Sequence, residues 1–377
     1  PKLQWETTKR FNIGLQASLL NNRVNLALEY FNSKTDNLLT RKSVSDVTGL
    51  STMWSNDGAL SNKGVDFNIN AMLVQHKDWR WQAGFSIGHY KNEITSLPTS
   101  NLNIIRTYAL NEDGSRGAET QIHGYTSSIY GSNNVLTAVG KAAGLFYGYK
   151  TAGVFATDAE AASAGKYGYL RYPTGLSEQP SRDFRAGDVH FVDQNGDGWI
   201  NEADMVVIGD PNPDIYGNIF TSLSWKSLKL DVNFKYSLGN DVYNYQRSQL
   251  ESLNTNWNQT TAAVNRWRYE GQKTDMPRAM YTTSDQWVNN ERFSDRWIED
   301  GSYLKLKNIR LTYKIPVNLS WLLGLSVWGE CNNVFTISKY TGNDSEFSAG
   351  NGVLYQGIDA GYLPQSRNFT LGVTINL

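Results

Sequence analysis

The sequence predicts an all-β fold, a transmembrane antiparallel β-barrel, on three observations. Apolar and polar residues alternate over long runs, tight turns alternate with long connecting segments, and aromatic residues are abundant. The chain has 377 residues with 35 basic and 36 acidic side chains, a formal net charge of −1. It carries 12 Trp and 21 Tyr at a mean hydropathy of −0.48. No stretch approaches the roughly 18 apolar residues of a membrane helix, but strands with one lipid face and one water face never accumulate such runs. Near-zero charge without basic blocks leaves no electrostatic footprint for nucleic acid. The single Cys331 excludes an internal disulfide and a multi-cysteine metal site. Histidines at 76, 89, 123 and 190 offer no pair at metal-ligand spacing.

Taken in order, Phe11, Ile13, Leu15, Ala17 and Leu19 alternate with Asn12, Gly14, Gln16 and Ser18, the period of a strand. After Asn21-Asn22-Arg23 the pattern resumes at Val24, Leu26, Leu28 and Tyr30, which makes a hairpin. A second hairpin runs from Val65 to Leu73, turns at His76-Lys77-Asp78 and returns from Trp79 to Ile87. A third turns at Lys226-Ser227, and its second arm alternates cleanly from Leu228 to Leu238. A fourth pairs Tyr303–Ile315 with Leu325–Phe335 around Pro316, and the chain closes on Phe369, Leu371, Val373, Ile375 and Leu377.

Length separates this pattern from a soluble sandwich. Soluble strands average about five or six residues, whereas a tilted strand needs about 9–11 to cross a bilayer. The tight turns near 21, 76, 226 and 316 alternate with long segments at 32–62, 90–142, 240–296 and 338–367. That asymmetry is expected of an outer-membrane barrel with periplasmic turns below and extracellular loops above. Trp79, Trp81, Trp225 and Trp321 lie beside the short turns, where a lower aromatic girdle belongs. Up-and-down parity requires an even number of crossings between His89 and Tyr216. Only Leu145–Phe155 (LFYGYKTAGVF) is a candidate, so either a partner lies within 101–140 or this segment does not span. The first residues, Pro1 to Glu6, show no export signal, as expected of a mature chain or a later piece of a longer one.

One motif suggests an ion. Residues 193–204 read DQNGDGWINEAD, with Asp193, Asn195 and Asp197 at alternate positions, Gly198 sixth, Trp199 offering its carbonyl at the seventh, Asn201 ninth and Asp204 twelfth. This is the spacing of a calcium loop, in which hard oxygens converge on one ion and glycine permits the sharp turn. Asp in place of Glu at the twelfth position weakens bidentate closure. The preceding Val189-His190-Phe191-Val192 reads as strand, so the loop is not a full EF-hand. Structural calcium is expected within an inserted unit over 186–210, in an extracellular segment, rather than a sensor.

Several blocks together resemble one family, the SusC-like (SusC/RagA) TonB-dependent transporters of the Bacteroidetes outer membrane. They are LQWETTKRFNIGLQASLLNNRVNLALEYFNSKTDNLL, GLFYGYKTAGVF, GDVHFVDQNGDGWINEADMVVIGDPNPDIYGN, EDGSYLKLKNIRLTYKIP, GLSVWGECNNVFTISKYTGNDSE and LPQSRNFTLGVTINL. The resemblance covers nearly the whole chain. It implies that 1–377 is the C-terminal portion of one receptor barrel, about nine to eleven strands of a roughly 22-stranded plugged barrel. It also implies that the plug domain and the N-terminal barrel half lie upstream of Pro1. The implied function is TonB-driven import of large nutrients, glycans foremost and peptides second, under a SusD-like surface lipoprotein acting as lid.

Within 240–296, Asn244–Arg268 reads as helix-like, and Trp257, Trp267, Tyr281 and Trp287 are weak candidates for contact with substrate or lid. The bland alternative is that they pack the loop against itself. No carboxylate pair, catalytic triad or phosphate loop emerges, so no enzyme is expected. The rival reading is a secreted, calcium-stabilised soluble β-protein that binds or hydrolyses carbohydrate, which would need a core between two facing sheets.

Overall fold

The computed structural model describes all residues except 1–2, 45–48, 50–51, 99–103, 111–115, 132–133, 166–167, 174–180 and 319–320. Nine strands form one antiparallel sheet. They are β1 (Thr7–Leu19), β2 (Val24–Ser43), β3 (Thr52–Gln75), β4 (Trp79–Ser96), β5 (Ile215–Trp225), β6 (Leu228–Leu238), β7 (Tyr303–Ile315), β8 (Gly324–Ser338) and β9 (Asn368–Asn376). Each lies beside its neighbour in this order, from β1 at one edge to β9 at the other.

Register explains why the strands alternate. Ala17, Leu26, Ile69, Phe85, Ile219 and Phe234 stand opposite one another across β1 to β6. Leu230, Leu311, Gly329 and Leu371 continue an apolar row across β6 to β9. Residues paired in register share a face, so these rows make one apolar surface. On the other face Gln16, Ala27, Asn68, Ser86, Asn218 and Lys235 are in register. Cys331 sits on the apolar face between Ile309 and Phe369. Cross-strand Trp79 and Trp225 stack with ring centroids 5.7 Å apart beside the short turns, and Lys226 Nζ lies 5.5 Å from the Trp225 ring. Two of the four tryptophans expected at the lower rim thus stack across neighbouring strands.

The short turns are built by residues that tolerate positive φ. Leu20, Asn21 and Asn22 have φ of 53°, 54° and 65°, and Lys226 has φ 51°. Asparagine enters this region at little cost, which fits the first turn. Adjacent turns also join: the Lys226 amide donates to Asp78 O at 2.8 Å and the Lys314 amide to Ser227 O at 2.8 Å.

Two expectations change and one open alternative is settled. The long segment expected over 32–62 is mostly strand, because β2 and β3 stay paired to Ser43↔Thr52 with register shifts near Leu38. Alternation vanishes there because both faces of that extension carry polar residues, so periodicity loses its contrast. Leu145–Phe155 does not cross. It forms two short strands, Leu145–Gly148 and Thr151–Val154, in sheets separate from the nine, and β4 pairs directly with β5. The even number of intervening crossings is zero. Asn244–Arg268 is helical only at Tyr245–Leu250, with a 3-10 turn at Thr261–Asn265. Between them Ser252 donates to the Gln249 carbonyl at 3.2 Å and Thr255 accepts from the Trp257 amide at 3.5 Å, and Leu253 turns to φ 57°.

The packed core belongs to the long connections rather than to the sheet. Phe155, Leu170, Phe184, Val189, Phe191 and Ile200 form one fully buried cluster, and Phe146, Tyr243, Phe293, Trp297 and Ile358 form another. Conversely, Leu15, Ile219, Leu311 and Leu371 on the sheet are 67%, 45%, 52% and 88% exposed. The accessible surface is 21930 Å², against about 15,000 Å² for a compact monomer of this mass. The other sheets have two, two, five and three strands among the described residues. All are built from the connections, so no second large sheet faces the first as a soluble sandwich requires.

The connections are tied to the sheet at defined points. Asn92 on β4 accepts from the Ala143 amide at 2.7 Å and donates to Asn212 at 3.0 Å, and Asn212 donates to Ala143 O at 3.1 Å. On the polar face, Lys305 of β7 reaches Glu346 at 2.7 Å and Asp344 at 3.2 Å, and Lys235 of β6 also meets Glu346. The last long connection is thereby anchored over the polar face.

Candidate functional site

The 193–204 loop lies on the end of the sheet that carries the long connections. The short strand Val189–Phe191 leads into it, as the sequence indicated, and Glu202–Asp204 forms a single 3-10 turn at its end. Gly196 and Gly198 have φ of 70° and 84°, a region that other residues enter only with strain. Asp193 accepts from the Gly196 and Gly198 amides at 2.7 Å each. Asp197 accepts from the Trp199 amide at 2.8 Å and from Asn195 Nδ2 at 2.9 Å. Fully buried Asp204 accepts from the Gln194 amide at 2.9 Å and the Asn201 amide at 2.8 Å. Asn201 caps the turn by accepting from the Ala203 amide.

Burial first, and then the like charges of Asp193 and Asp197, push the Asp204 carboxyl up to about 7, against the pull of its two amide donors. A cation would remove that repulsion. The carboxylates as they stand face backbone amides, and no group of three or more His, Cys, Asp or Glu side chains is arranged to hold a metal among the described residues. The structure thus brings the six predicted residues into one turn without gathering their oxygens around a point.

The four aromatic candidates separate. Trp257 and Tyr281 are 66% and 60% exposed. Trp267 is packed: its indole donates to Ala156 O at 3.2 Å, and a Cβ on Gly187 would meet its ring at 2.6 Å. Trp287 is half-buried, and its carbonyl accepts from Arg182 at 2.7 Å.

Sequence reading missed the groups that stitch this cap together. Asp188 is fully buried and takes both arms of Arg278, at 2.7 and 2.8 Å, with Asn290 at 3.0 Å and the Arg185 amide at 2.8 Å. Arg292, also buried, lies 4.0 Å from the Tyr172 ring centroid and 4.5 Å from that of Phe191. Apart from Arg185, their partners lie far away in the sequence and no spacing rule connects them.

No protein-family profile matches the chain. It is 29% identical over 381 residues to TonB-dependent receptor P3 of Formosa agariphila, covering 99% of the chain and 34% of that protein. It is 27% identical over 388 residues to TonB-dependent receptor SusC of Bacteroides thetaiotaomicron, covering 99% of the chain and 32% of that protein. Among solved structures, the RagAB peptide transporter superposes with a TM-score of 0.71 at 23% identity, over 100% of the chain and 36% of its counterpart. The chain therefore spans about a third of the length of these relatives. The alternating apolar sheet, the one-sided long connections and these matches over the whole chain agree: the chain is similar from end to end to a segment of the β-barrel of TonB-dependent receptors of the SusC kind, which are proteins of the Gram-negative outer membrane.

Proposed function

We propose that this chain is the C-terminal barrel portion of a non-enzymatic, TonB-dependent importer of large nutrients, with glycan oligosaccharides as the first cargo class and peptides as the second. The observation that carries the reading is the open nine-stranded meander, with an apolar face along its length and a strand at each edge that pairs on one side only. Such edges cannot rest in lipid with their amides unpaired. The segment closes its barrel with an N-terminal half that also supplies the plug and the contact with TonB. The cap built from the long connections faces the cell exterior, and a SusD-like lipoprotein covers it as a lid.

Two measurements test this. The full-length protein should need detergent and migrate differently on gels before and after boiling. A strain lacking the gene should lose uptake of labelled oligosaccharides or peptides, and should lose it equally when TonB is removed. Full uptake without TonB defeats the reading.

We also propose that the 193–204 loop takes calcium in a structural role. Asp193, Asp197 and Asp204 would supply charge, and Asn195, Asn201 and the Trp199 carbonyl would complete the shell. The spacing and the raised Asp204 carboxyl support this. Calorimetry on the full-length protein checks it: Asp193→Ala and Asp197→Ala should abolish calcium uptake at this loop, and unchanged uptake refutes it.

A further inference from the structure

The cap contains a polar cavity of about 460 Å³ whose lining includes no residue of the 193–204 loop. Arg247, Glu251, Asn265, Thr274, Asp275 and Arg296 are among its lining residues. The two guanidiniums there are treated very differently. Arg247 donates to Glu251 at 2.9 Å and to Glu299 at 3.1 Å, so its charge is matched twice. Arg296 forms no ion pair among the described residues. It donates from Nη1 to the Asp275 carbonyl at 2.7 Å, its Nε is buried without a partner, and its guanidinium lies 5.4 Å from the Trp297 ring.

The nearby acids are largely committed elsewhere. Glu251 serves Arg247 and accepts from Thr260 at 3.0 Å. Asp295 accepts from the Thr151 hydroxyl at 2.6 Å. The Arg296 guanidinium is accordingly pushed down to about 10, by burial first and then by the charge of Arg247. Glu251, Asp275 and Asp295 act on Arg296 without forming an ion pair among the described residues. With Nη1 taken by the Asp275 carbonyl and Nε enclosed, Nη2 is the donor left on the cavity wall for a planar or tetrahedral oxyanion. Asp275 and Asn265 line the same space, so the ligand group must also bring hydrogen-bond donors close to its charge.

We propose that this cavity is a binding subsite for an oxyanion, a carboxylate or sulfate group carried by the cargo, and that Arg296 is the residue that recognises it. This deepens the import reading by naming the chemistry of one cargo group. A uronic-acid sugar, with hydroxyls beside its carboxylate, and a peptide, with amides beside its terminal carboxylate, both present that chemistry.

The test is calorimetric titration of the full-length transporter in detergent with three probes: digalacturonate, the N-acetylated dipeptide N-acetyl-Gly-Gly and neutral cellobiose. Saturable binding of an anionic probe, weakened at least tenfold by Arg296→Gln, is the expected result, and whichever anionic probe binds more tightly identifies the carrier. Ala262→Phe, which fills the cavity and leaves every charge in place, should weaken it similarly. Heat-dependent gel migration checks that both variants are folded. Cellobiose binding as tightly as the acids, or acid binding indifferent to both variants, overturns the proposal. Loss of uptake is scored separately, so a failure of the import reading leaves a distinct signature from a failure of this subsite.

Discussion

Replacing Asp188 with alanine should open the cap locally while leaving the sheet intact. Asp188 receives four hydrogen bonds, two of them from Arg278, whose side chain is only 16% exposed. Removing one partner of a buried ion pair costs about 3–5 kcal/mol, because the other charge stays desolvated and unmatched. Asn290 loses its acceptor in the same step while still accepting from the Val189 amide. At about 1.4 kcal/mol per decade, amide exchange near Val189 and Arg278 should accelerate roughly a hundred- to a few-thousand-fold. Hydrogen exchange on the full-length protein in detergent reads this directly, since local openings have their own free energies. Acceleration below about tenfold, or acceleration spread equally into β5 and β6, would refute the argument that this pair stabilises the cap alone.

Further outcomes follow from the same geometry. Ile219→Arg puts a charge on the apolar face and should cost about 2–4 kcal/mol of barrel stability, whereas Asn218→Arg on the opposite face should be tolerated; folding into vesicles under urea titration compares them. Asp204 has a folded carboxyl raised from 3.8 to about 7, so the folded loop binds the proton more tightly. With a chelator present, protection at the 193–204 loop should therefore be greatest at acid pH and fall as pH rises from about 4 to 7, by at most about 4 kcal/mol. Asp204→Asn should flatten that profile in exchange measurements. Trp257→Ala and Tyr281→Ala should weaken cargo or lid capture in pull-down assays without changing stability. Trp267→Ala should instead loosen the packing around Gly187, which exchange at that segment would report.

The parts of this molecule that were readable in sequence are those governed by a contrast between two solvents. Phe85 and Ile219 alternate with Ser86 and Asn218 because lipid lies on one side and water on the other, and the pattern specifies the register as well as the strands. Where both sides are wet, as in the upper reaches of β2 and β3, pairing persists through backbone bonds that leave no mark on side-chain period. The cap escaped for a different reason. Its core gathers Phe155, Phe184, Ile200 and Val288 from four separate stretches, each too short to show a pattern. The 193–204 loop was legible because a turn of alternating acceptors is local. Arg296 was not, because its significance lies in lacking the carboxylates that Arg247 has, and a missing partner has no signature in a string of letters.

The insertion between β4 and β5 bears on how such a sheet can be assembled at all. Every neighbouring pair but one is joined by at most about 65 residues, while β4 and β5 are separated by residues 97–214. Closing a flexible loop of that size costs about 4 kcal/mol in chain entropy. The contacts among Asn92, Ala143 and Asn212 hold the two roots of the insertion side by side. An insertion that folds first presents β4 and β5 to each other as though joined by a short turn. Strand addition can then run along the chain without a long search at its middle, and variation inside the insertion is released from any duty to barrel assembly so long as its roots stay tied.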